Sequence, residues 1–259
     1  MSTPTNFPEA REALVDAGRR LAQRGLVTGT SGNLSVRVGE HVVATPSGVA
    51  LDALDSSSLS VLSLHGEQHS GPAATSEVPL HLAIYRSTNA LAIAHTHAVA
   101  STAVSCTTEE MPALHYNVLQ LGGPPRTARY ATFGSEQLGS HVAEVLSTGR
   151  TAALMQNHGS IAVGNTLGEA CDRLELLEWL CELYWRARQI GEPRILSTAE
   201  LDAVRDQSRR LRYGDEWRGD EACRDLDTEL FFENGLTEPA LAQQALARKI
   251  CADCPVRVE

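Results

Sequence analysis

Residues 34–45 restrict the kind of sheet this chain can build. After a turn-rich loop over Thr28–Asn33, the residues through Val38 alternate side-chain character as a half-buried strand does, His41 to Thr45 forms a second short run, and Gly39-Glu40 between them suits a tight turn. Two strands joined by so short a turn must run antiparallel, because a parallel pair needs a crossover of about a dozen residues or more. The expected sheet is therefore mixed or mostly antiparallel rather than doubly wound.

Strands and helices alternate along the rest of the chain. Pro8 to Arg24 carries Ala13, Leu14, Ala17 and Leu21 at helical spacing and ends at Gly25. Leu59–Leu64, Leu91–His97 and Thr151–Gln156 read as strands. Ser76 begins a helix with Leu80, Ile84 and Tyr85, and a small-residue helix runs to Cys106. Leu167–Ile190 reads as a long helix, and Thr198–Arg212 as another. At 259 residues, with 42% hydrophobic and 21% charged side chains, the chain can fold around a sizeable core. Its net charge of -10 argues against a nucleic-acid-binding surface and predicts no nucleic-acid partner. A phosphorylated ligand would need local positive charge from a metal, backbone N–H groups or a helix N-terminus. The N-terminus lacks a basic stretch followed by an apolar run, and nothing approaches the ~18 apolar residues of a membrane span. A cytoplasmic protein with reduced cysteines and no membrane association is the expectation.

Three groups of residues carry chemistry. His95-Thr96-His97 ends an apolar strand, and side chains two apart on a strand share a face, so both imidazoles can converge on one ion. His158 ends another apolar strand. Three imidazoles with a carboxylate suit zinc, which prefers nitrogen donors and keeps a position open for catalysis. Glu77, at a helix start beside Thr75 and Ser76, has two readings. It completes a capping box and complements the helix dipole, or it binds the metal or moves a proton. Gly29–Asn33 and Ser47-Gly48 are turns by composition, and such loops also present N–H and hydroxyl donors to a phosphate. Each feature alone has a plain structural explanation; their combination points to metal-assisted chemistry on a phosphorylated substrate.

In this order, the segments Gly29-Thr30-Ser31-Gly32-Asn33-Leu34-Ser35, Thr45-Pro46-Ser47-Gly48, Thr75-Ser76-Glu77, His95-Thr96-His97, Ala113-Leu114-His115-Tyr116, Tyr130-Ala131-Thr132-Phe133-Gly134, Asn157-His158-Gly159 and Arg212-Tyr213-Gly214 resemble the class II aldolase family, in its fuculose-phosphate branch. The resemblance covers residues 6–214. It implies a three-layer α/β/α sandwich around a mostly antiparallel sheet, assembled as a homotetramer with sites between subunits. His95, His97 and His158 would bind one zinc ion per chain, with Glu77 as fourth ligand or proton-transfer group. Thr30, Asn33, Gly48, Thr75 and Ser76 would hold the substrate phosphate. Tyr116, reaching in from a neighbouring subunit, would act at the C4 oxygen, and Tyr213 would close over the site. The implied reaction is reversible cleavage of a ketose 1-phosphate, L-fuculose 1-phosphate or a similar deoxy-ketose phosphate, to dihydroxyacetone phosphate and a small aldehyde.

Composition changes at Gly214, where a domain boundary is placed: residues 215–259 hold eleven acidic and five basic side chains. Ala222-Cys223-Arg224-Asp225, Glu229-Leu230-Phe231-Phe232 and Ile250-Cys251-Ala252-Asp253-Cys254-Pro255-Val256 resemble the N-terminal half of the WhiB-like iron–sulfur regulators. A cluster takes four thiolates. Only Cys223, Cys251 and Cys254 are present, the family's fourth position falling one residue past the end, so an incomplete site without a cluster is expected.

Two rivals share these observations. Another reaction on the same fold, such as epimerisation, decarboxylation or dehydration, fits the metal site, but the epimerase branch carries Asp where this chain has Glu77 and lacks His115-Tyr116. A WhiB-like transcriptional regulator with a passive aldolase-like domain would need a complete cluster site.

Overall fold

The computed structural model describes residues 6–213, together with positions 246 and 249. The chain divides into two compact units, Met1–Ser197 and Thr198–Glu259. Among the described residues no helix is long and apolar enough to cross a membrane.

In the first unit α1 (Pro8–Gln23) precedes the expected hairpin of β1 (Asn33–Val38) and β2 (His41–Ala44), which pair antiparallel with Val38 opposite His41. Then follow β3 (Ser60–Ser63), β4 (Gln68–Ser70), α2 (Val78–Ser87), β5 (Ala92–Thr96), α3 (Val99–Ser105), a 3-10 turn at Tyr116–Leu121, β6 (Thr127–Ala128), α4 (Glu136–Leu146), β7 (Ala152–Met155), β8 (Gly159–Gly164) and α5 (Leu167–Ile190). The strands form one sheet in the order β4-β3-β2-β1-β5-β8-β7-β6. Every pairing is antiparallel except β6 with β7.

Helices cover both faces. On one, α2 and α4 pack together, and Leu80, Ile84, Tyr85, Leu138 and Val142 meet Val42, Leu62, Ile93, Met155, Ile161 and Val163 of the sheet. On the other lie α1, α3 and α5. The central strands β5, β7 and β8 are buried along their whole length, which removes the alternation that exposes a strand to sequence reading. Strands β5 and β7 still show in the sequence as apolar runs, whereas strand β8, Gly-Ser-Ile-Ala-Val-Gly, and helix α4 have no counterpart in the sequence analysis. Ser135 starts α4 by accepting a hydrogen bond from the Leu138 N–H.

One boundary differs in a way that bears on function. Helix α2 starts at Val78, not Ser76, with Pro79 in its first turn. Glu77 is the cap residue, but its side chain makes no capping bond. The second unit opens with α6 (Thr198–Tyr213), a helix the sequence predicts over Thr198–Arg212 but ahead of its boundary at Gly214. Tyr213 is its last residue, and the tyrosine side chain and Cys223, Cys251 and Cys254 lie outside the described residues.

Gly18 lets α1 approach the loop below it. A Cβ there would run into the Leu51 carbonyl oxygen and stand 2.9 Å from Leu54 Cδ1. Helix propensity favours Ala over Gly by about 1 kcal/mol, but overpacking against a backbone carbonyl costs about 1–3 kcal/mol. Gly18→Ala should lower the urea midpoint with the slope of the transition unchanged; an unchanged or raised midpoint would show that α1 moves aside freely.

Candidate metal and substrate site

Register brings the site together. Asn33 of β1 lies opposite His95 of β5, which lies opposite Ile161 of β8. His97 follows just past the end of β5. The three-residue turn Gln156-Asn157-His158 connects β7 to β8 and carries His158 to the same end of the sheet. Asn157 takes a left-handed conformation, φ 54°, which an asparagine tolerates better than most residues. Gly159 is required here: a Cβ would meet the Thr96 carbonyl oxygen and lie 3.0 Å from His97 Cδ2 and 3.4 Å from His95 Cε1.

The ligand atoms of Glu77, His95, His97 and His158 lie within 4.8 Å of one another. His95 Nε2 is 2.9 Å from Glu77 Oε2 and 3.0 Å from His97 Nε2, and His158 Nε2 is 3.4 Å from Glu77 Oε1. At the other side of its ring, His95 Nδ1 stands 2.8 Å from the Ser160 carbonyl oxygen. A carbonyl only accepts, so Nδ1 carries the hydrogen and Nε2 can present its lone pair inward, the arrangement typical of a metal-bound histidine. Glu77 Oε1 is buried and has no hydrogen-bond partner. An orphaned carboxylate oxygen facing three imidazoles is the donor set of a catalytic zinc site, so the residues fit the ion that the sequence predicts.

Without a metal the site is held by charge. Burial works against the Glu77 carboxylate, but His95, His158 and the Asn33 amide outweigh it and keep its pKa well below the usual carboxylate range. His95 is pushed up: burial opposes this, but the facing Glu77 charge and hydrogen bond prevail. Burial lowers His97 to about 4, helped by His95 and His158, and lowers His158 as well. Two of the three imidazoles are therefore neutral and ready to bind a metal at ordinary pH.

Beside the histidines opens a cleft of about 430 Å³. Thr30, Asn33, Gly48, Thr75 and Ser76 all line it, together with Glu77, His97 and His158. Apart from its chain neighbours, nothing lies within 4 Å of where a Gly48 Cβ would stand; the residue takes φ 74°, in the left-handed region that favours glycine. Tyr130, Phe133 and Asn157 also line the cleft; sequence reasoning noted their motifs but gave them no role. Tyr116 is not among the residues lining it. That side chain is half-exposed and stacks on His115, with ring centroids 4.3 Å apart. A larger crevice, about 650 Å³, lies near Arg126, Arg129 and His141 and contains none of the expected site residues.

Residues 12–185 match the family model of the class II aldolase and adducin N-terminal domain. The chain belongs to the class II aldolase and adducin family. Residues 217–259 match a second family model, transcription factor WhiB. A 5-methylthioribulose-1-phosphate/5-deoxyribulose-1-phosphate aldolase of Rhodospirillum rubrum is 38% identical over 207 residues, covering 79% of this chain and 92% of that protein. A 3-oxo-tetronate 4-phosphate decarboxylase of Pectobacterium atrosepticum is 37% identical over 182 residues, covering 67% and 83%. A solved L-fuculose 1-phosphate aldolase superposes with a TM-score of 0.74 at 30% identity, over 81% of this chain and 98% of that one. With Glu77 and the three histidines converging, this class II aldolase family member is an enzyme of the lyase class.

The charges predict how the metal-free enzyme responds to acid. His81, buried behind the site, and His97 both have pKa values near 4, below the 6.5 of a free imidazole. Between these values the unfolded chain binds more protons, so stability falls as pH drops from about 6.5 towards 4. The raised His95 acts in the opposite direction, but the lowered His158 and Glu77 reinforce the fall. Urea midpoints of zinc-free protein should decline steadily between pH 7 and pH 4.5. A flat profile would mean that the two histidines are not buried neutral.

Proposed function

We propose that the chain is a zinc-dependent aldolase that reversibly cleaves a ketose 1-phosphate to dihydroxyacetone phosphate and a small aldehyde. The substrate would be L-fuculose 1-phosphate or a 5-deoxy or methylthio pentulose analogue. The observation that carries this reading is the meeting of Glu77, His95, His97 and His158 beside a cleft walled by Thr30, Asn33, Gly48, Thr75 and Ser76. Those loops offer hydroxyl, amide and backbone donors to a phosphate, next to the ion that the three imidazoles would hold.

Cleaving C3–C4 leaves negative charge that spreads from C3 to the C2 oxygen. Zinc, when bound, supplies Lewis-acid stabilisation of that charge. Every other role falls to the chain's own residues. Phosphate binding by the cleft loops fixes the ketose so that its C3–C4 bond faces Glu77. Tyr116 of a neighbouring copy takes the C4 hydroxyl proton as the bond breaks, and Glu77 returns a proton to C3. Glu77 is placed for this exchange by geometry: it is buried, and its carboxylate stands 2.9 Å from His95 and 3.4 Å from His158 at the edge of the cleft.

A homotetramer with shared sites is part of the same reading, supported by the exposure of Tyr116 and its absence from the cleft of its own chain. Tyr213 is read as the residue closing the site. A boundary near Gly214 is supported by the change of family between residues 185 and 217. No role in carbon–carbon cleavage is assigned to residues 217–259. The proposed compartment is the cytoplasm, in keeping with the free thiols Cys106, Cys171 and Cys181.

Supplying dihydroxyacetone phosphate with lactaldehyde, acetaldehyde and methylthioacetaldehyde, and identifying the products, tests the reaction. One preferred ketose 1-phosphate is expected; no condensation by zinc-loaded enzyme with any aldehyde would overturn the aldolase reading. Tyr116→Phe should retain zinc but lose about 10²–10⁴-fold in cleavage rate, the usual contribution of one acid–base group. Hybrid oligomers of Tyr116→Phe with Glu77→Gln subunits should recover part of the activity. Absence of recovery despite subunit exchange would count against a shared site.

A further inference from the structure

Behind Glu77 and Asn33 lie three buried polar side chains, Ser35, His81 and Tyr85, with no part in the reaction described above. On α2, His81 and Tyr85 are four apart and share one helix face, with Glu77 four residues before His81 at the cap; on β1, Asn33 and Ser35 are two apart and share one strand face. The two rows interleave. Asn33 Nδ2 donates to Glu77 Oε2 at 2.9 Å, and Asn33 Oδ1 stands 2.6 Å from His81 Nε2. Next, His81 Nδ1 is 2.6 Å from Ser35 Oγ, which is 2.7 Å from the Tyr85 hydroxyl. All five residues are buried.

The chemistry of each group fixes the direction of the bonds. A carboxylate only accepts, so the NH2 side of Asn33 faces Glu77. Its Oδ1 then faces His81 and only accepts, so Nε2 carries the ring hydrogen. In a neutral ring Nδ1 is left as acceptor, the Ser35 hydroxyl donates to it, and the Tyr85 hydroxyl donates to Ser35. Burial keeps the His81 ring neutral, with a pKa near 4, and pushes the Tyr85 hydroxyl up. Every donor therefore points along the ladder towards the carboxylate. An amide has two nearly isosteric ends: the Glu77 carboxylate selects the NH2 end from one side, and the His81 Nε2–H selects the oxygen from the other, so losing His81 removes half of what fixes Asn33.

Resting on the proposed zinc aldolase site, we propose that His81 is a positioning residue: through Asn33 Oδ1 it locks the amide with its NH2 group towards Glu77 and the substrate cleft. It touches neither the metal ligands' inward-facing atoms nor the cleft, since Asn33 stands between. His81 thus fixes a donor on the carboxylate that must both meet the ion and move a proton. Ser35 and Tyr85 hold the ring in the tautomer that does so.

The test is a double-mutant cycle on the full chain, read in two ways: zinc affinity by competition with a chromophoric chelator, and kcat and KM for cleavage. His81→Phe keeps the ring volume and removes the donor. It should weaken zinc binding or lower kcat about 10–100-fold, the usual effect of removing a partner of a metal ligand. Asn33→Ala should do the same, and the double variant should be no worse than Asn33→Ala alone. Effects that multiply, or a His81→Phe protein with wild-type zinc affinity and kcat, would overturn the proposal, because a merely structural histidine would act independently of Asn33. Should His81→Phe fail to fold, Ser35→Ala unties the far side of the ring. Its smaller loss must likewise vanish in the Asn33→Ala background, and persistence there overturns the proposal. Zinc affinity requires no sugar phosphate. If wild-type enzyme cleaves no ketose phosphate while the zinc coupling holds, the activity reading fails and the role of His81 stands.

Discussion

Glu77 is 5% exposed, stands 2.9 Å from His95 and carries one oxygen with no hydrogen-bond partner. Removing a carboxylate from water is costly unless charges and donors replace the lost hydration. Here the replacements come from three separate stretches of chain, in His95, His158 and the Asn33 amide, and the remaining oxygen faces a group of side chains that could hold a metal. The strand register, the β7–β8 turn and the late start of α2 all serve to bring those groups to one carboxylate.

The sheet makes this possible because its centre is covered on both faces. His95 is fully buried in β5, with Asn33 on one side and Ile161 on the other. Only the end of the sheet opens to the cleft, where His97, His158 and the loops around Thr30, Gly48 and Thr75 meet solvent. A polar ladder through the interior, from Glu77 to Tyr85, is tolerated because each group has a partner, as buried polar networks require. It also makes the site sensitive to changes two rungs away from the chemistry.

The sequence made several elements legible through local signals. The β1–β2 hairpin followed from its turn, α1 from helical spacing, and α5 and α6 from long amphipathic or apolar runs. Strand β8 did not show, because glycine stands at both of its ends and only Ile161, Ala162 and Val163 between them make an apolar run, shorter than those of β5 and β7. The two readings of Glu77 could not be separated from spacing either. A capping carboxylate and a ligand carboxylate look alike in sequence, and only the backbone at Glu77, with helix α2 beginning at Val78, turned the side chain away from the helix end.

What the sequence determined by itself was chemistry: three histidines, one glutamate, two donor-rich loops, and a tail of different composition. Their order along the chain identified the family. Tertiary structure alone decided which of these groups meet. It placed Tyr116 away from its own chain's cleft, gave Gly159 its steric necessity, and lined up His81 behind Asn33. The reason is range: turn and helix signals act over a few residues, whereas the bonds from Asn33 to Glu77 and from His95 to Ser160 join residues 44 and 65 positions apart. Such contacts are fixed by strand register and by the cost of burying a polar group unpaired, and neither can be read from a local window.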